Sequence, residues 1–145
     1  MKVRCLCVFV LVLYGISLCG QSTWGTLSLI RFDLRMDEYG LTVHKPTHFT
    51  KMIEDLDGKE IELAGFIVPL EGKKKQRHLY FSAYPYASCF FCGNAGPETV
   101  IEVFMGGEDY LEYTDKQIEI SGIFRFVPGD FSSVMYQLEN AKIVE

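Results

Sequence analysis

Lys59-Glu60-Ile61-Glu62-Leu63-Ala64-Gly65-Phe66 and Lys116-Gln117-Ile118-Glu119-Ile120-Ser121-Gly122-Ile123 repeat one pattern, K-[E/Q]-I-E-[L/I]-[A/S]-G-[F/I]. Isoleucine and leucine at alternate positions write a strand with one buried face. Shared β composition alone produces short matches of this kind, so the argument rests on the glycines. A glycine inside a strand lets the chain bulge or bend sharply. A strand needs that bend when it must belong to both halves of a small closed barrel, and the first and fourth strands of a five-stranded OB-type barrel are neighbours.

Working outward, alternation continues over His78 to Tyr86, Thr99 to Met105 and Met135 to Val144, which with Lys59 to Leu70 and Lys116 to Phe126 makes five strands. Pro46 and Thr47 open a short helix predicted over Thr47 to Asp55, with Phe49, Met52, Ile53 and Leu56 on one face and Asp57-Gly58 as its stop. Trp24 to Tyr39 has Trp24, Leu27, Ile30 and Leu34 at near-helical spacing, interrupted by Phe32 and two arginines, and reads as a lead-in segment. The expected fold is mainly β: a small five-stranded OB-like barrel with one short N-terminal helix. Its expected organisation is a signal peptide over 1–20, a lead-in segment with the helix over 21–55, and the barrel over 56–145. Gly106-Gly107 leaves little room for the helix that many OB-folds carry between strands three and four.

The N-terminus has the form of a secretory signal peptide: Lys2 and Arg4, an apolar run from Cys5 to Leu18, then the small residues Ser17, Cys19, Gly20 and Ser22 near a cleavage site. At about 14 residues the run is shorter than the roughly 20 needed to span a bilayer. Ile16-Ser17-Leu18-Cys19 also outlines a lipobox, in which Cys19 would be acylated, and Leu18 is its unfavourable residue. The expected location is the periplasm or the cell envelope, with membrane attachment only if Cys19 is lipidated. Cleavage removes two of the 14 basic residues and none of the 19 acidic ones, moving the formal charge from −5 to −7. So acidic a chain is a poor binder of phosphate backbones.

Of five cysteines, only Cys89 and Cys92 lie beyond the signal segment and its edge. Cys89-Phe90-Phe91-Cys92-Gly93-Asn94-Ala95-Gly96-Pro97-Glu98 falls between the second and third strands. Three chemistries compete for it. The thiols can form a local disulfide, as an oxidising compartment favours. They can ligate a metal such as zinc, with Gly93 allowing the tight turn of a zinc knuckle; a closed site then needs further ligands from His78, Glu98, His44 or His48, or from a second copy of the chain. They can also form the C-x-x-C of a thiol–disulfide oxidoreductase, but Gly93, Gly96 and Pro97 break the helix whose N-terminus would acidify the first thiol.

Leu56 to Leu70 and Ser82 to Gly93, in particular LDGKEIELAGFIVPLE and SCFFCGNAGPE, resemble an uncharacterised family of exported bacterial OB-like proteins, a domain of unknown function. The resemblance runs from about Trp24 to the C-terminus. It implies an envelope location and, from the gene neighbourhoods of some relatives, a link to metal handling; it implies no activity.

Two surface features complete the sequence. Glu71 to His78 is a basic hairpin tip and reads as a solvated turn, since no aromatic residue interleaves with its lysines. Tyr80, Tyr84 and Tyr86 share the strand face opposite Leu79, Phe81 and Ala83, where they form a stacking platform with Asn94 nearby, or are covered by the lead-in segment. The expected function is a non-enzymatic envelope binding or accessory module, metal-associated if the C-x-x-C loop holds zinc, with an envelope protein or a small ligand as partner. The alternatives are a periplasmic thiol oxidoreductase and, third, an OB-type nucleic-acid binder, which export and acidic charge oppose. No catalytic constellation is evident.

Overall fold

The structure, a computed structural model, describes residues 20–36, 38–40, 42–48, 51–69, 72–127 and 134–144. The expected signal segment, with Lys2, Arg4 and Cys19, lies outside the described residues except for Gly20. In chain order come α1 (Gly20–Leu27), β1 (Arg31–Met36), β2 (Thr42–His48), α2 (Lys51–Glu54), β3 (Glu60–Val68), β4 (Lys75–Gln76) and β5 (His78–Ser82). They are followed by β6 (Val100–Met105), β7 (Leu111–Glu112), β8 (Ile118–Phe126) and β9 (Tyr136–Ile143).

Five strands close a barrel in the order β3-β5-β6-β9-β8. The β6–β9 pair is parallel and the other pairs are antiparallel. Counting barrel strands alone, this is first, second, third, fifth, fourth, so the expected OB-like topology is present, with the first and fourth side by side. The alternation read from the sequence sorts the faces: Ile61, Leu63, Phe81, Ile101, Val103, Ile120, Phe124 and Leu138 fill the interior. Between β6 and β8 the chain forms only the short β7 and a turn at Gly107 (φ 52°).

Gly65 and Gly122 sit where the repeat implies a bend, for a more specific reason than backbone freedom. β3 pairs with β8 from Glu60 to Gly65 and with β5 from Phe66 to Val68, so it changes partner directly after Gly65. On β8, the register against β9 shifts between Ser121 and Ile123, which makes Gly122 the irregular residue. Neither has positive φ. Instead, a Cβ at Gly65 would collide with the Ser82 carbonyl oxygen and lie 2.8 Å from the Phe81 ring. One at Gly122 would lie 2.8 Å from Leu138 Cγ and 2.9 Å from the Glu139 carbonyl oxygen. The glycines are set by close approach between strands.

The lead-in differs from the expected single helix over Thr47 to Asp55. Thr47 and His48 belong to β2, which pairs antiparallel with β1, and the helix is reduced to the one turn of α2. The β-branched Thr42, Val43 and Thr47 favour extended backbone, and hairpin pairing carries the chain past the expected helix start. Ile53 is still buried and Leu56 still packs on the core, whereas Met52 is exposed and Phe49 lies outside the described residues. A second helix, α1, precedes the hairpin. Its Trp24 indole N–H donates to the Ala64 carbonyl (2.9 Å), and the buried Tyr136 hydroxyl donates to the Leu27 carbonyl (2.9 Å). With Leu27 and Ile30 fully covered, this segment caps the barrel core. Among the described residues, no helix is long and apolar enough to cross a membrane.

Candidate functional site

The loop from β5 to β6 is built from three short 3-10 turns stacked on the barrel: Tyr86–Ser88, Phe90–Cys92 and Pro97–Thr99. Pro85 and Pro97 fix φ at the start of the first and third, where a backbone N–H would be unused. The Ala83 amide donates to the Thr99 carbonyl (3.0 Å), pinning the base of the loop. In its centre, the Cys92 amide donates to the Cys89 carbonyl (3.1 Å) and the Gly93 amide to the Phe90 carbonyl (2.9 Å). Gly93 ends this turn in the left-handed region (φ 75°), which glycine occupies at no steric cost. The Asn94 side-chain amide then donates to the Ala87 carbonyl (2.9 Å), tying the first turn to the end of the second.

Cys89 is fully buried beneath this turn and Cys92 is exposed, both as free thiols. Cys92 Sγ contacts the Cys89 side chain and donates to the Tyr86 carbonyl (3.1 Å). The surrounding loop strips water from one side of the Cys92 sulfur, and the neighbouring Cys89 side chain adds a smaller electrostatic and hydrogen-bonding contribution; together they raise the Cys92 pKa above the ordinary thiol value. A nucleophilic cysteine requires the opposite shift. A three-residue 3-10 turn supplies no useful helix dipole.

The further ligands anticipated for a metal do not gather here. Among the described residues, no group of three or more His, Cys, Asp or Glu side chains is placed to hold an ion. His78, on β5, stacks on Phe104 (centroids 4.7 Å apart, planes at 3°), and its Nε2 lies 2.6 Å from Glu102 Oε1. Glu102 also accepts from the Gln137 side chain (2.9 Å), so His78 is engaged in a network on the barrel wall. His48 is exposed at the end of β2, and His44 lies within that strand. Glu98 belongs to the third turn of the loop and lines a cleft of about 350 Å³ with Tyr84, Ser88, Asn94, Gly96 and Thr99.

Nor do the three tyrosines form one platform. β5 ends at Ser82, whose hydroxyl accepts from the Tyr84 amide (3.1 Å), and Pro85 leads directly into a 3-10 turn. Tyr84 and Tyr86 therefore leave the strand and stand exposed (47 % each), uncovered by the lead-in segment. Tyr80 remains on the strand, half-buried, with its ring edge-on to Phe91 (5.1 Å).

A family model described as a protein of unknown function (DUF3299) matches residues 31–145. The chain belongs to this DUF3299 family. No curated protein and no solved structure matches it. The DUF3299 match covers the whole barrel and the C-x-x-C loop but starts at Arg31, so α1 and the core residues Leu27 and Ile30 lie ahead of it.

Two features of this DUF3299 chain escape a reading of strand alternation. Lys75 and Gln76 of the basic tip pair with Leu111 and Glu112, and Lys75 Nζ reaches the Tyr110 hydroxyl (2.8 Å) and Glu112 (3.4 Å). The tip is thus anchored to β7, although Lys73 and Lys74 are exposed. The second feature is Gly96. Its φ of −82° suits any residue, but the space a Cβ would take is filled by the Glu98 carboxylate. The G-P-E spacing, glycine two residues before glutamate around a proline turn, is the sequence signal.

Proposed function

We propose that the domain is a non-enzymatic binding or accessory module of the cell envelope, with the Cys89/Cys92 loop as its working surface on a rigid OB-like barrel. The observation that carries this reading is the geometry of the thiol pair: Cys89 is buried, Cys92 sits against it, and desolvation, then Cys89, raises the Cys92 pKa above the ordinary thiol value. That arrangement suits a loop closed by its own two sulfurs and opposes a thiolate nucleophile. In an oxidising compartment the pair passes two protons and two electrons to a disulfide oxidant, which leaves as a dithiol, and becomes a local disulfide. Export rests on the Lys2/Arg4 and Cys5 to Leu18 pattern, and acylation of Cys19 would place the module on a membrane.

Zinc association remains part of the proposal in one form. Two thiols are half of a closed tetrahedral site, so an ion bound here takes its other ligands from a second copy of the chain. The test is thiol counting with elemental analysis on protein purified from the envelope under acid quench. No free thiol and no metal supports the disulfide-closed loop; one zinc per two chains, with thiols reactive only after chelation, supports the shared site. Free thiols without metal in protein from the envelope contradict both.

A further inference from the structure

We propose that the cleft beside the thiol loop is a receptor for an arginine side chain presented by a partner polypeptide. The inference rests on the binding-module reading and names the chemistry of its ligand. Among the described residues, Glu98 is the cleft's only charged lining residue. It is half-buried, and among the described residues no hydrogen bond or ion pair engages its carboxylate. The carboxylate lies directly over the Cα of Gly96, in space that any larger residue would occupy. The backbone at Gly96 does not demand glycine, so what the glycine provides is room for the charge.

The other lining groups suit a cation. Asn94 spends its side-chain N–H on the Ala87 carbonyl, which leaves its amide oxygen as an acceptor. Ser88 adds a hydroxyl, and the exposed ring of Tyr84 offers an aromatic face for a cation–π contact. Thr99 is already committed, donating to the Gly96 carbonyl (2.7 Å). A divalent metal is a poor guest, because Ca²⁺ and Mg²⁺ seek several oxygen ligands and more than one carboxylate as a rule. A guanidinium matches better: it is planar, carries five donors and meets a carboxylate in bidentate fashion. A half-exposed ion pair contributes little on its own, so a free amine would not be retained. The exposed Tyr84, Tyr86 and Phe91 on the same loop supply the apolar surface against which the residues flanking the arginine would pack.

The experiment titrates the mature, isotope-labelled protein with the peptides Ac-Leu-Arg-Leu-NH₂ and Ac-Leu-Gln-Leu-NH₂ and follows amide shifts by NMR. The arginine peptide should perturb Asn94, Gly96 and Glu98 at millimolar concentration, weaken with added salt, and outcompete the glutamine peptide. Glu98→Gln should weaken binding roughly fivefold, the scale of a partly exposed ion pair. Gly96→Ala keeps the charge but displaces the carboxylate, and should weaken binding similarly while leaving the melting temperature near that of wild type. Equal binding of both peptides, shifts confined to other surfaces, or an unaffected Glu98→Gln protein would overturn the assignment. Loss of arginine binding alongside the expected thiol state would remove only this ligand. A partner trapped covalently at Cys92 would instead remove the non-enzymatic reading.

Discussion

The carbonyl oxygen of Ser82 occupies the space in which Gly65 would carry a Cβ, so β3 and β5 can meet only if residue 65 has no side chain. Because the colliding atom is backbone, it cannot rotate away. Gly65→Ala and Gly122→Ala should each destabilise the domain by about 1–3 kcal/mol, the range of overpacked cores. Gly25→Ala, in α1 with nothing within 4 Å, should leave stability unchanged or slightly raised. Denaturant melts that superimpose for Gly65→Ala and wild type would remove close approach as the reason for the repeat.

Tyr136 joins the lead-in to the barrel through its hydrogen bond to the Leu27 carbonyl. Burial, then the nearby Glu98 carboxylate, pushes its pKa well above the ordinary tyrosine value. In the unfolded chain this phenol ionises near pH ~10, while the folded protein keeps the proton. The contribution is therefore fully present below pH ~10 and is lost as pH rises beyond it. Tyr136→Phe should cost about 1–2 kcal/mol at neutral pH, from the orphaned carbonyl, and should flatten the alkaline loss of stability. Urea melts across the alkaline range decide it; an unchanged slope in Tyr136→Phe would show that other groups carry the dependence.

Trp24 is tied to the barrel by its hydrogen bond to the Ala64 carbonyl, and Leu27 and Ile30 are buried in the core. Processing that leaves a stable barrel must therefore cut before Trp24. Intact mass of the native protein should place the mature N-terminus between Gly20 and Thr23, or at an acylated Cys19. A native start beyond Trp24, or an intact Met1 in the cytosol, would contradict this.

The barrel was legible because its strands alternate and its two glycines mark the bends; both signals are local and survive in a tertiary context. The hairpin of β1 and β2 was not, since Phe32 and two arginines break the helical spacing after Ile30 without writing a clear alternation, and the pairing with Thr42 to His48 is non-local. For the loop, the C-x-x-C spacing and Gly93 pointed to the turn that forms. The tyrosine alternation from Tyr80 to Tyr86 does not survive Pro85, where the chain leaves the strand. His78 reads as a ligand only until Glu102 and Phe104 are placed beside it, and that neighbourhood depends on β5–β6 register. The cleft around Glu98 depends on three turns folding together, which no single spacing encodes.

The pH profile of Cys92 alkylation in the reduced, mature protein bears most directly on the claim that this domain is not a thiol enzyme. Desolvation by the loop and the adjacent Cys89 predict a midpoint above the ~8.5 of a free cysteine, with no partner captured covalently when Cys89 is changed to Ser. A midpoint near neutrality, together with a mixed disulfide trapped in the envelope, would contradict the claim and identify a thiol–disulfide oxidoreductase.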